Sequence, residues 1–143
     1  MSFDPRLRVV AIARDWIGTP YLHQASHRGV GSDCLGLLRG VWREIYGAEP
    51  ESMPRYSADW GEPAGDEVLL RALTRHLHPA QGANLGDVVL FRMRAHGVAK
   101  HLGIVSALAE QGAFIHAYTG HGVVESALTR PWRRRIVARF HFP

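Results

Sequence analysis

The spacing of the apolar residues changes once along this chain, near Gly86, and this change restricts the fold more than any other feature of the sequence. Before Gly86 the apolar residues recur at the period of a helix. After it they form short segments rich in Val, Ile and Phe, which are separated by Gly or polar turns and are typical of strands. A run of helices followed by a run of strands predicts an α+β domain with an antiparallel sheet.

Three helices are predicted in the first half of the chain. The first follows Asp4, an N-cap residue succeeded by proline, and its apolar face consists of Val9, Ile12, Ala13, Trp16 and Ile17. The second is expected to begin around Asp33–Cys34 and to end at Tyr46, before Gly47, and the third to run from Asp66 to Leu77. The stretch 48–65 is rich in Pro and Gly, and a connection of that length is usually functional.

Five strands are predicted in the second half of the chain. Their expected bounds are Asp87–Met93, His101–Leu108, Ala113–Tyr118, Val123–Leu128 and Arg135–Phe142. The chain has 143 residues, globular composition and no internal repeat. We therefore expect one domain that spans residues 1–143.

Composition and charge exclude several classes of protein. The longest uninterrupted apolar run, Val9–Ala13, is far shorter than the about twenty residues that a bilayer requires, so no membrane insertion is expected. No signal peptide is expected, because the run is short and Asp4 lies where a basic leader would be. The single cysteine, Cys34, excludes an internal disulfide. One dense cluster of arginines consists of Arg130, Arg133, Arg134, Arg135 and Arg139. The cluster is either a solvated surface or a binding site for phosphates or an acidic polymer, and the sequence leaves these interpretations open.

Cys34 is the strongest candidate for chemistry. It lies in the segment GSDCLGL, residues 31–37, at or near the start of the second helix. Free N–H groups and the helix dipole favour a thiolate there, so we expect its pKa to fall from about 8.5 into the range of about 3.5–7.5. The same N–H groups stabilise an oxyanion, and Gly36 allows another backbone to pack closely. A buried, unreactive cysteine is the alternative, and the position at a helix start favours reactivity.

A thiol nucleophile requires a base, and the base requires an orienting group. Among nine histidines, His101 and His116 lie in neighbouring predicted strands. If these strands pair as a hairpin, both imidazoles point to the same sheet face and toward the helix that carries Cys34. A structural or exposed histidine is the commoner alternative for each, so spacing alone does not decide between them.

Five motifs occur in order along the chain: IGTPY (17–21), GSDCLGL (31–37), GDVVLF (86–91), HLGIV (101–105) and FIHA (114–117). With them, residues 7 to 140 resemble the NlpC/P60 family of papain-like cell-wall cysteine peptidases. The resemblance implies an α+β fold in which N-terminal helices, with the nucleophile at a helix start, pack on a five- to six-stranded antiparallel sheet. The segment PRYSADW (54–60) and the helix after it resemble the branch encoded in tail gene clusters of phages and gene transfer agents.

The resemblance also implies an activity and a set of site residues. Family members hydrolyse peptide bonds in peptidoglycan stems, typically between D-γ-glutamate and a diamino acid such as meso-diaminopimelate. Cys34 matches the nucleophile, His101 the general base, and His116 the third polar residue, which orients His101. Tyr21 matches the tyrosine that supports the oxyanion site beside the backbone N–H of Cys34. No cofactor and no metal are implied.

Two residues next to the nucleophile bear on specificity. Asp33 matches the family aspartate that helps to hold polar groups of the stem peptide. Leu35, however, stands where family members usually have serine, and its side chain makes no hydrogen bond. The resemblance therefore leaves the position of the cleaved bond open.

Localisation and partners follow from the same resemblance. The implied substrate lies outside the cytoplasmic membrane, yet no signal peptide is expected. Both expectations are met if the protein is made in the cytoplasm and is carried to the periplasmic wall on a phage-like tail. The expected partners are peptidoglycan stem peptides and the tail or baseplate proteins of a phage-like particle. This chain would dock onto the tail proteins through residues 48–65 or through Arg130–Arg139. No nucleic-acid partner is expected.

Four alternatives remain open. The first two are an inactive tail component and an amidase or acyltransferase on the same fold. The others are a nucleic-acid module resting on the C-terminal arginines and a metal site formed by His96, His101, His116 or His121. The joint presence of Tyr21, Cys34, His101 and His116 argues against the inactive component, and the lack of a short metal-binding motif argues against the metal site.

Overall fold

Three helices precede the main sheet in the computed structural model, which describes residues 4–51, 65 and 67–143. The first part contains α1 (Pro5–Asp15), β1 (Ser26–His27), β2 (Gly31–Ser32), α2 (Cys34–Tyr46) and α3 (Val68–His76). The second part contains β3 (His78–Pro79), β4 (Val88–Arg92), β5 (Ala99–Ala107), β6 (Ala113–Tyr118), β7 (Gly122–Ala127), α4 (Arg130–Arg133) and β8 (Ile136–His141). None of the helices within these described ranges is long and apolar enough to span a bilayer.

Six strands form one antiparallel sheet in the order β3-β8-β4-β5-β6-β7. The sheet confirms the predicted α+β class, and each of the five predicted strands is present, with its ends within two residues of the expected bounds. The six strands agree with the five- to six-stranded sheet that the resemblance implies, but the position of the sixth strand, β3, was not predicted. α3 ends at His76, one residue before the expected end, and Pro79 of β3 pairs with Phe140 on β8. The β1–β2 hairpin and the short helix α4 were not predicted either.

The predicted helices are confirmed with changes at their ends. Asp4 caps α1 as expected, with Oδ1 accepting from the N–H of Arg6 at 2.9 Å. Ile17 was wrongly placed on the apolar face of α1, because the helix ends at Asp15 and Ile17 is 42% exposed. α2 ends before Gly47, whose φ of 89° favours glycine. Asp66, the expected start of α3, and most of the 48–65 connection (52–64) lie outside the described residues.

Two separate cores form on opposite faces of the sheet. On one face α1, α2 and α3 pack against strand residues that include Val88, Leu90, Leu102, Ile104 and Ile115. On the other face lies a smaller cluster of Val89, Phe91, Val105, Phe114 and Leu128, covered by Trp132 of α4 and by Ile136. Because side chains alternate along a strand, His101 and His116 belong to this smaller cluster.

Each edge of the sheet is covered in part. At the β7 edge, the N–H of Gly18 donates to the carbonyl of Val123 at 2.9 Å, and the N–H of Val123 donates to the carbonyl of Thr19 at 2.9 Å. At the opposite edge β3 is only two residues long. The segment after α1 is further held by a bridge between Tyr21 and Ser32. These contacts fix the backbone on which Tyr21 lies.

Candidate active site

Asp33 fixes the start of α2, where Cys34 is the first helical residue. Its Oδ1 accepts from the N–H of Gly36 at 2.7 Å and its Oδ2 accepts from the N–H of Gln24 at 2.7 Å. A methyl group on Gly36 would overlap the carbonyl oxygen of Ala25, so glycine allows the loop before β1 to approach the helix. This confirms the predicted close approach at Gly36. The position of Cys34 is therefore set by the helix cap and by the loop packed against it.

The thiol of Cys34 lies against the backbone of β5, on either side of His101. Its Sγ is 3.9 Å from the carbonyl oxygen of Lys100 and accepts a hydrogen bond from the backbone N–H of Leu102. The N–H groups of Cys34 and Leu35, in the first turn of α2, also reach the sulfur. The pairing of β5 with β6 involves only Ile104 to Ala107 of β5. The sulfur contacts β5 at Lys100 and Leu102, beyond the end of this pairing.

The expectation of a lowered thiol pKa is wrong. Burial, together with the nearby negative charge of Asp33, raises the pKa of Cys34 to about 12, although three backbone N–H groups act to lower it. The carboxylate that caps the helix thus opposes the effect of the helix N-terminus, and the loss of hydration exceeds it. The thiol is protonated at neutral pH in the free protein, so cleavage chemistry requires a base.

His101 and His116 lie side by side within the smaller core. Nε2 of His101 is 2.8 Å from Nδ1 of His116, and Nε2 of His116 is 2.8 Å from Oγ of Ser126. The two histidines share a sheet face, as predicted. The prediction that this face is turned toward α2 is wrong, because the residues that alternate with the histidines, such as Leu102 and Ile115, face the helices.

Aromatic rings enclose both imidazoles. The rings of Phe91 and Trp132 lie 5.8 Å from that of His101, and the ring of Phe114 lies 4.2 Å from that of His116. Burial lowers the pKa of His101 to about 3, with a smaller contribution from His116. Burial likewise lowers the pKa of His116 to about 4, assisted by His121. Both rings are neutral at pH 7, the state in which an imidazole nitrogen accepts a proton.

The hydrogen bonds allow one proton arrangement in which His101 serves as a base. To accept a proton at Nδ1, His101 must carry its own proton on Nε2 and donate it to Nδ1 of His116. His116 then carries its proton on Nε2 and donates it to Oγ of Ser126. Sequence reasoning missed Ser126. Its face on β7 follows only from the register, in which Phe114 pairs with Ser126 and His116 with Val124.

One cavity of about 300 Å³ brings most of the predicted site residues together. Tyr21, Asp33, Cys34 and His101 line it, and His116 lies behind His101. Its remaining walls come from residues that the sequence did not single out: His23, Met93, Lys100, Ala117, Tyr118 and Thr119. Across residues 4–51, 65 and 67–143, no group of three or more His, Cys, Asp or Glu side chains is arranged to hold a metal ion.

Tyr21 and Leu35 differ in their relation to this cavity. Burial raises the pKa of the Tyr21 phenol, a side-chain hydrogen bond with Thr119 lowers it, and charge on Cys34 and Asp33 raises it. The phenol therefore keeps its proton and remains a hydrogen-bond donor. Leu35 does not line the cavity; it is 4% exposed and lines the groove between α2 and α3. The leucine at this position thus adds to the core.

The family model of the NlpC/P60 family matches residues 18–140. The chain belongs to the NlpC/P60 family. The match covers every element described above from the segment after α1 to β8.

Individual relatives agree with this assignment. The chain is 29% identical to the Murein DD-endopeptidase MepS/Murein LD-carboxypeptidase of Escherichia coli (strain K12). The alignment has 136 residues and covers 94% of this chain and 61% of that protein. The chain thus spans about three-fifths of the length of this curated relative.

Solved NlpC/P60 structures share the fold. The NlpC/p60 domain of the peptidoglycan hydrolase SagA superposes with a TM-score of 0.60 at 22% identity, over 96% of this chain and 98% of that one. An NlpC/P60 family protein from Bacillus cereus gives a TM-score of 0.66 at 17% identity, over 99% of this chain and 41% of that one. The predicted NlpC/P60 fold is confirmed.

Proposed function

We propose that this NlpC/P60 chain is a peptidoglycan endopeptidase with Cys34 as its nucleophile. The observation that carries the proposal is the shared cavity of Cys34 and His101, with the far nitrogen of His101 held by His116. The names of the relatives, a murein endopeptidase and a peptidoglycan hydrolase, support the substrate class.

The first chemical step forms a thioester. With a peptide carbonyl in the cavity, the proton of Sγ passes to Nδ1 of His101 as the sulfur attacks the carbonyl carbon. The backbone N–H of Cys34 and the hydroxyl of Tyr21 donate to the oxyanion that forms. The imidazolium of His101 then protonates the leaving amine, and the peptide C–N bond breaks.

The second step releases the acid. His101 accepts a proton from water, the hydroxide oxygen attacks the thioester carbonyl, and the C–S bond breaks. The proton returns to Sγ, so Cys34 is again a thiol. Throughout, His116 accepts from Nε2 of His101, and this hydrogen bond stabilises the imidazolium each time it forms.

Bond specificity and delivery extend the proposal. The cleaved bond is the one between D-γ-glutamate and a diamino acid, and the protein reaches the wall on a phage-like tail to which it docks. The resemblance of residues 54–60 to the tail-associated branch supports the delivery, and this segment lies outside the described residues. Recovery of the protein in purified tail particles, but not in tail-less lysate fractions of the same density, tests it.

The activity is tested by release of new amines from purified peptidoglycan. We expect Cys34→Ala and His101→Ala to lower kcat/KM by about 10⁴-fold or more, because a nucleophile and its base act as a unit. His96→Ala is the matched control, since His96 is exposed and does not line the cavity, and it should retain full activity. Product masses identify the cleaved bond. Absence of cleavage by the folded wild type on several wall chemistries would refute the proposal.

A further inference from the structure

A second cleft, which shares Met93 with the nucleophile cavity, is rich in arginine. It has a volume of about 380 Å³ and is lined by Arg92, Met93, Arg94, Ala95, Pro131, Arg134 and Arg135. These described lining residues include four arginines and no acidic side chain. The cleft takes in part of the arginine cluster noted in the sequence, together with two arginines at the end of β4.

Two residues connect this arginine cleft to the reacting groups. Met93 lines both the cleft and the cavity that contains Cys34. The indole of Trp132 packs 5.8 Å from the ring of His101 and lies 5.9 Å below the guanidinium carbon of Arg135. Because Met93 is a wall of both spaces, a ligand that extends from the cavity beyond Met93 would reach the cleft.

Backbone and side-chain hydrogen bonds hold the cleft in shape. The N–H of Arg92 donates to the carbonyl of Arg135 at 2.8 Å, which joins the two walls. Nε of Arg92 donates to the carbonyl of Gly97 at 2.5 Å, and Nη1 of Arg133 donates to the carbonyl of Leu128 at 2.6 Å. The positive charges are thus placed by the β4–β8 pairing and by α4.

The charge of the combined surface selects an anionic ligand. Lys100 lines the cavity and joins the four arginines of the cleft, and the acidic residue that lines the cavity, Asp33, accepts two backbone hydrogen bonds at the helix start. A guanidinium matches a carboxylate with two parallel hydrogen bonds, which an uncharged amide cannot replace. A glutamate linked through its γ-carboxyl keeps a free α-carboxylate, so a wall peptide carries the required group.

We propose that the arginine cleft binds free carboxylates of the wall peptide, and that it makes the enzyme prefer acidic stem peptides over amidated ones. This inference rests on the proposed function. The specificity residues would be Arg92, Arg94, Arg134 and Arg135, none of which takes part in the reaction itself. The contacts are made by the part of the peptide that extends past Met93.

Binding to a catalytically silent protein tests the inference without cleavage. Fluorescence anisotropy measures the affinity of the full chain carrying Cys34→Ala for two labelled γ-glutamyl-diaminopimelate peptides, one with a free α-carboxylate and one amidated. Cys34→Ser serves as a second background if the alanine protein does not fold. We expect a preference of about tenfold for the carboxylate peptide. Arg134→Gln/Arg135→Gln should reduce it to less than about twofold.

A matched pair of arginines separates the cleft from overall charge. Arg8→Gln/Arg28→Gln removes the same charge from exposed positions that do not line the cleft, and it should keep the tenfold preference. Equal affinity for the two peptides, or the same loss in both double variants, would overturn the inference. Wild-type cleavage is measured in parallel. Equal cleavage of both peptides would overturn the inference but support the proposed function. Selective binding of the carboxylate peptide without cleavage would support the inference but count against the proposed function.

Discussion

The hydroxyl of Ser126 sets the direction of the hydrogen bonds behind His101, and this role gives a sharp prediction. Ser126→Val removes the acceptor that lies 2.8 Å from Nε2 of His116, and the methyl groups keep water out of its place. Because His116 is fully buried, its Nε2–H would be left without a partner. The proton of His116 then moves to Nδ1, and His101 must carry its own proton on Nδ1, where it blocks acceptance from Cys34.

The size of the effect follows from the cost of the broken hydrogen bond. An unsatisfied buried donor costs about 1–3 kcal/mol. A bias of about 1–2 kcal/mol toward the unproductive tautomer lowers the competent fraction about 5- to 30-fold. We therefore expect Ser126→Val to lower kcat by about that factor with little change in KM, since Ser126 does not line the cavity.

Ser126→Thr is the matched control. Threonine has the shape of valine but keeps the hydroxyl, and both are favourable in a strand. Activity is measured on a defined stem peptide, and the ¹⁵N chemical shifts of the imidazoles report which nitrogen of His101 carries the proton. Equal kcat for the valine and threonine variants, or the same His101 tautomer in both, would show that Ser126 does not direct the base.

Two further predictions concern stability. The folded-state pKa values of His101 and His116, about 3 and about 4, lie below the about 6.5 of an unfolded histidine, so the unfolded chain binds more protons below pH 6.5. Their stabilising effect is present above that pH, and the free energy of unfolding should fall by about 2.4 kcal/mol as pH drops from 6 to 5, because each histidine contributes about 1.2 kcal/mol over that interval. Urea unfolding measures this slope; His116→Gln should roughly halve it, and an unchanged slope would contradict the assignment. Gly40→Ala should gain about 1 kcal/mol of helix propensity, but the added methyl group would overlap the buried indole of Trp16. We therefore expect the variant to lose up to about 2 kcal/mol of stability, measured by thermal unfolding. The control Glu44→Ala, at an exposed position, should lose less than about 0.5 kcal/mol. A stabilised Gly40→Ala protein would contradict the packing described here.

Local features of the sequence were sufficient for much of the fold. Helix signals act over only one or two turns, and they include the apolar period, the capping residues Asp4 and Asp33, and the terminator Gly47. These signals were enough to predict that Cys34 lies at the start of α2. The two-residue strand β3 was missed because only its pairing with β8 defines it.

The properties that depend on tertiary contacts were the ones missed or wrongly predicted. The pKa of Cys34 depends on burial against β5 and on the charge of Asp33, whereas the sequence showed only the helix start. Ser126 lies ten residues beyond His116, and only the register of β6 and β7 brings the two together. The face occupied by His101 depends likewise on which side of the sheet the helices cover.

The partly covered edges of the sheet limit how a peptide can be recognised. Gly18 and Thr19 occupy the hydrogen-bonding groups of Val123 at one edge, and at the other β3 is short and contains Pro79, which has no N–H to offer. A peptide therefore finds no long open strand among the described residues on which to extend the sheet, a common means of holding peptides regardless of their side chains. Recognition falls instead on the polar and charged groups of the cavity and the arginine cleft. The same partial cover shortens the edges through which two copies could join edge to edge and aggregate.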